Sequence, residues 1–242
     1  MSAGTYTRLE VLRTFRNTRF FILSLAFPLV LFYAVAGTNR HTKLDGIGFP
    51  LYYMVGMASF GAMSAVVAGG ARIALERAVG WTRQMKITPL STFAYFRSKV
   101  LSSYLMAIVT LILLFAAGLS LGVRLSLLHW LETAGLLLVG LIPFVVLGIL
   151  LGHLMTADSM GPAQGGVVAV FALLGGAWGP LAQQGTLHAI VENIPSYWLV
   201  QAGRVAVGGG AWPIRGWVVI AVWTAVLLRL TVRVYHRDVA RV

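Results

Sequence analysis

Six long apolar runs, separated by short polar or basic segments, organise the chain: roughly residues 20–37, 50–71, 100–121, 133–152, 160–181 and 212–228. Crossing the ~30 Å hydrocarbon core of a bilayer takes about 20 mostly apolar helical residues, and each run is read as a span. The first five carry no charged side chain, and in the sixth Arg215 lies within a turn of one end, where it can snorkel. Continuous runs such as the one from Leu105 to Gly122 do not fit a lipid-facing barrel, whose strands are about ten residues long with alternating polarity. The pattern predicts an all-α integral membrane protein with six transmembrane helices and both termini on the same side.

Composition agrees. Of 242 residues 58% are apolar and 11% charged, where a soluble domain carries roughly a quarter charged residues. The net charge of +12 would point to nucleic acid in a soluble protein. Here the bases cluster between the apolar runs, so a nucleic-acid partner is not expected. One side holds Arg8, Arg13, Arg16, Arg19, Arg72, Arg77, Arg83, Lys86, Arg97, Lys99, Arg229, Arg233, Arg237 and Arg241; the other holds Arg40, Lys43, Arg124, Arg204 and Arg215. The positive-inside rule therefore puts both termini and the 72–99 loop in the cytoplasm. There is no cysteine, which removes disulfides, thiolate metal sites and cysteine nucleophiles.

Outside the spans, three segments are informative. In residues 1–19, Tyr6, Leu9, Leu12 and Phe15 recur every third position among four arginines, the pattern of a helix lying on the inner membrane surface. Phe20 to Tyr33 followed by Ala34-Val35-Ala36 imitates a signal peptide; the long basic leader with Glu10 and the length of the run favour a retained first span. The 72–99 loop is too long for a simple connection. Its first half can prolong the second span through Glu76 and Arg77, Gly80 permits a sharp break, Trp81 to Ile87 can form a short helix, and Thr88-Pro89 punctuates before the next helix. The 182–211 segment, too polar to span, reads as two short helices dipping into the outer leaflet and broken at Pro195, or as a folded loop anchored by Tyr197 and Trp198.

The sequence carries no energy source of its own. Proton-driven carriers need ionisable groups within the membrane, and all seven acids lie at span ends or outside the spans, Glu10 and Glu76 among them. His129 and His153 sit at span borders and read as interfacial. No phosphate-binding loop exists: Lys43, Lys86 and Lys99 follow Thr42, Met85 and Ser98, without the required glycine-lysine-serine/threonine order. No nucleophile, acid and base converge at a readable spacing, no metal cluster is legible, and the chain is read as a non-enzyme. Either it moves solutes passively or a separate subunit drives it.

Glu76-Arg77, Gly80, Arg83, Thr88-Pro89 with Leu90, and Lys99 resemble, in order and spacing, the cytoplasmic loop of the type 2 ABC exporter permeases of bacteria. Asn193 to Arg204 is similar to the Pro-, Trp- and Arg-containing segment before the last span in that family. The chain departs from the family at Ala78, where a further acid is common, and at Trp81, where threonine is common. The resemblance implies a plasma-membrane half-transporter: two permease chains, identical or merely related, pair around a pathway, and two cytoplasmic ATPases carrying ATP and Mg dock beneath. No cofactor is expected on this chain. The helix around Trp81 to Ile87 would enter a groove of the ATPase, with Glu76, Arg77, Gly80, Trp81, Arg83, Met85, Thr88 and Pro89 as contacts. The 182–211 segment would cap the pathway's outer end at Pro195, Tyr197 and Trp198. Spans two and five line the pathway in this family, which singles out Tyr53, Met57, Phe60 and Met63 in an adaptable apolar cavity. With no charged ring on any span, the cargo expected is a drug-like or lipid-like amphiphile moved outward. A sensor or assembly component using the same ATPase contact, and an energy-independent channel or scramblase, are the alternatives.

Overall fold

Uninterrupted apolar sequence leaves the backbone no water to bond with, so the chain satisfies its own peptide groups as helix. The computed structural model describes residues 3–16, 18–44, 46–81, 84, 91–179, 184–204 and 211–240. Helices α1 (Ala3–Arg16) and α2 (Thr18–Thr38) precede a two-stranded antiparallel ribbon, β1 (Lys43–Leu44) and β2 (Ile47–Gly48). There follow α3 (Phe49–Ala78), α4 (Thr92–Ser120), α5 (Leu127–Gly140), α6 (Ile142–Leu154), α7 (Ala157–Gly175), α8 (Thr186–Val191), α9 (Pro195–Arg204) and α10 (Ile214–Ala240).

Local sequence sets the ends. Ser91 and Ser126 cap α4 and α5 by accepting from the backbone N–H of Ala94 and His129, and Thr156 with Ser159 forms a reciprocal capping box at α7. Gly176, at φ +76°, closes α7 in the left-handed conformation. That stop ends the helix earlier than the expected run to residue 181.

Among the described residues four helical stretches are long and apolar enough to cross a membrane: Phe49–Ala78, Thr92–Ser120, Leu127–Leu154 and Ile214–Arg237. The third is broken at Leu141, because Pro143 has no N–H to offer the carbonyl four residues back. Helix α2 is apolar over Leu25–Thr38, and α7 carries the fifth expected run with Asp158, Ser159, Pro162 and Gln164 in its first turns.

Helix α3 is the hub. It packs against α2, α4, α6, α7 and α9, and Met54, Met57, Ala58, Ala62, Met63, Val66, Val67 and Ile73 along it are fully buried. Its crossing with α6 is set by three glycines. A Cβ on Gly70 would stand 2.1 Å from the carbonyl carbon of Gly148, and one on Gly152 would stand 2.3 Å from the carbonyl oxygen of Gly70. The two backbones touch directly, as small residues allow between apolar helices. Gly148/Gly152 is thus an intramolecular packing pair, whereas Gly161 and Gly165 on α7 have nothing within 4 Å of a built Cβ. Helix α10 leaves Val218, Val222 and Val226 outward, an apolar face suited to lipid.

The surface-helix expectation for α1 is corrected in its facing. Within the expected stripe, Tyr6 is buried in the protein while Leu9 and Leu12 are exposed beside Arg8, Arg13 and Arg16, so Tyr6, Leu9 and Leu12 do not act as one face. The inward face is Tyr6, Thr7, Glu10 and Thr14, and it is polar because what it meets is polar.

Candidate functional site

The end of the bundle that carries the α3–α4 connection holds a buried charge cluster. Lys99 lies two turns inside α4 and is 1% exposed. Its ammonium donates to Glu10 Oε1 on α1 at 2.7 Å and to Glu76 Oε1 on α3 at 2.5 Å. The Tyr95 hydroxyl donates to Glu76 Oε2 at 2.7 Å, and the Tyr95 ring lies 5.3 Å beneath the Lys99 ammonium. One lysine therefore serves two carboxylates, from two other helices. Arg13 approaches Glu76 to 3.6 Å from the rim. Arg72 donates to the Thr14 hydroxyl at 2.6 Å, while that hydroxyl donates to the carbonyl of Glu10 at 2.9 Å.

The local sequence explains why a lysine tolerates this depth. Ser98, Ser102 and Ser103 flank it, and the last two donate to its own carbonyl at 3.1 and 2.7 Å, so small polar residues surround the stem. Charges removed from water this way hold only when fully partnered. The Tyr6 hydroxyl, facing Trp81 and Ser98, is pushed above its usual range first by burial and then by Glu76 and Glu10, so it stays protonated.

Arg77 faces a different neighbour. Its Nη1 donates to the carbonyls of His153 at 2.8 Å, Gly152 at 3.2 Å and Met155 at 3.5 Å. Gly152 and His153 lie in the last turn of α6 and Met155 just follows it, where carbonyls have no partner within the helix, so a cation from α3 caps α6. His153 is buried between Phe96 and Tyr235, with ring centroids at 6.0 and 5.5 Å, rather than at an interface as the sequence suggested.

The expected partner-contact residues thus separate. Glu76 and Arg77 prolong α3 as anticipated, but their side chains are engaged inside the chain: Glu76 is 3% exposed and Arg77 is half-buried. Gly80 takes φ +71°, the break its lack of Cβ allows. Trp81 and Gln84 are helical, and the Gln84 N–H donates to the carbonyl of Gly80 at 3.3 Å. Arg83, Met85, Thr88 and Pro89 lie outside the described residues.

Of the residues expected to line a pathway, Tyr53, Met57 and Met63 are buried in the core of the single chain. Phe60 reaches its edge, where Phe27 and Trp178, both exposed, each place a ring centroid 5.6 Å from it. At the opposite end of the bundle, Pro195 opens α9, which wedges against α3, α5 and α7. Trp198 is buried and donates to the carbonyl of Glu192 at 3.0 Å, and Tyr197 packs edge-on against it. Glu192 also bonds Arg215 at the start of α10, and its Oε1 lies 3.1 Å from His188 Nε2.

Sequence reading missed Glu10 and Lys99 as a site. It placed Glu10 outside the spans and gave it no partner, because charged side chains are ordinarily exposed. The readable signal was a lone lysine amid serines at the edge of an apolar run.

Residues 35–233 match the family model described as ABC-2 family transporter protein. The chain is also similar to YvfS of Bacillus subtilis (strain 168), named as a transport permease, with 26% identity over 211 residues that cover 86% of this chain and 83% of that one.

Proposed function

We propose that this chain, which belongs to the ABC-2 transporter family, is the membrane half of an exporter that is driven from the cytoplasm by ATPase subunits. The family makes it a multi-pass membrane permease subunit with an ATPase partner. The further particulars proposed are six spans with both termini cytoplasmic in a bacterial plasma membrane, two permease chains with two ATPases, and outward movement of a drug-like or lipid-like amphiphile.

The observation that carries this reading is the length and stiffness of α3. Thirty helical residues reach about 45 Å at 1.5 Å per residue, roughly 15 Å more than the hydrocarbon core. The excess carries the end of α3 past the hydrocarbon core to the Gly80 turn, and that end is itself buried and braced against α4 and α6 by Glu76 and Arg77, so it acts as a lever rooted in the bundle. A partner's motion shifts a conformational equilibrium only through contacts that differ between the two states, and a rigid arm continuous with the central helix supplies them. Gly80, Trp81, Arg83, Met85, Thr88 and Pro89 are proposed as the docking contacts, with Glu76 and Arg77 holding the arm from within. The cargo pathway is proposed between two chains, on the side where Phe60 meets Phe27 and Trp178, with α8 and α9 as its outer cap.

Gentle detergent purification followed by mass spectrometry of the associated proteins tests this. A cytoplasmic ATPase at about one copy per permease, as the proposed two-plus-two assembly requires, is expected. Export should stop when that ATPase is catalytically dead and continue when the proton gradient is dissipated. Flux without nucleotide would overturn the reading in favour of a channel.

A further inference from the structure

We propose that Lys99 is a positioning residue for ATP-driven motion, a clasp through which a displacement of α3 is passed to the N-terminal helix α1. The inference rests on the permease reading above and adds α1 to the moving parts.

The geometry is specific. Helix α1 packs along α4, but it reaches α3 through polar side chains: Arg13 at Glu76, Thr14 at Arg72, and Glu10 and Glu76 sharing the Lys99 ammonium. Tyr6, Glu10, Arg13 and Thr14 recur every three or four residues, so one face of α1 carries all of these contacts. The three charged groups at the centre are at most 4% exposed. Separating any pair would strand a charge where water cannot reach it, which is costly. Such a cluster resists loosening piecemeal, and the three helices are held to move together. Helix α1 shows Leu9, Leu12 and Arg8 outward, so a motion delivered to it arrives at a surface suited to lipid headgroups. The clasp therefore lets the same stroke that moves the central helix also shift the chain's hold on the membrane surface.

The native chain has no cysteine, so single thiols can be placed cleanly in the assembled transporter. An environment-sensitive dye is attached at Leu9→Cys on α1 or at Val79→Cys at the end of α3, both exposed positions. Fluorescence is followed on adding ATP with vanadate to trap the ATPase. In the native background both labels are expected to respond. Adding Glu10→Gln leaves Lys99 with Glu76 and removes the ionic link to α1, and Arg13→Gln with Thr14→Val beside it removes the remaining contacts to Glu76 and Arg72. In this triple variant, shown folded by its size-exclusion profile, the response at Leu9 should be lost while that at Val79 persists. A purely structural role would not split the two labels.

A native-background response at Val79 with none at Leu9 would overturn the clasp and leave the permease reading standing. Retention of the Leu9 response in the folded Glu10→Gln/Arg13→Gln/Thr14→Val variant would do the same. Silence at both labels would overturn the permease reading and the clasp with it.

Discussion

The Arg77 guanidinium donates to the carbonyl of His153 at 2.8 Å, joining the end of α3 to the end of α6 across the base of the bundle. The contact replaces water at three carbonyls at the end of α6, which makes Arg77 an internal brace.

Arg77→Ala should cost about 1–3 kcal/mol, the range for leaving buried polar groups unpaired, and Arg77→Lys should recover part of it. Thermal or denaturant unfolding of the purified protein in detergent checks this. An unchanged midpoint for Arg77→Ala would show that the brace carries no stability.

Lys99→Met should cost about 3–5 kcal/mol, because Glu10 and Glu76 are left facing one another with no buried cation. The triple variant Glu10→Gln/Lys99→Met/Glu76→Gln removes all three charges and should recover most of the folded yield. Size-exclusion profiles of the single and triple variants read the difference.

Gly70→Ala should lower the melting temperature sharply and cost about 1–3 kcal/mol or more, since the added methyl meets the backbone of Gly148 and cannot be accommodated by a rotamer change. Gly161→Ala on α7 meets nothing within 4 Å and should be neutral or slightly stabilising, as alanine is the better helix former by about 1 kcal/mol. Equal effects from the two substitutions would contradict the described α3–α6 crossing.

Val79→Cys should be labelled by a membrane-impermeant thiol reagent only from the cytosolic side, and Leu187→Cys on α8 only from outside. Both side chains are exposed, and no native thiol competes. The reverse pattern would invert the proposed orientation.

The start of the α3–α4 connection was legible because glycine and hydrophobic period are local signals: α3 runs through Glu76 and Arg77, and the chain turns at Gly80. The two short helices around Pro195 were legible for the same reason. What could not be read was the direction of charged side chains. Glu10, Glu76 and Lys99 come together from positions far apart in sequence, and only tertiary packing decides that a carboxylate turns toward a lysine instead of water. The same limit explains Tyr53, Met57 and Met63. An apolar residue on a central helix fits a cavity wall and a packed core equally well by composition, and the surrounding helices close over these three.

The break at Leu141 has a mechanical consequence. Below it, α6 is gripped by Arg77 and packed backbone to backbone on α3. Above it, α5 packs against α9, whose Leu199 lies over Gly140. With no hydrogen bond from Pro143 to stiffen the joint, the two halves answer to different neighbours, and a bend between them would be absorbed at Leu141 while the base of α6 stays clamped.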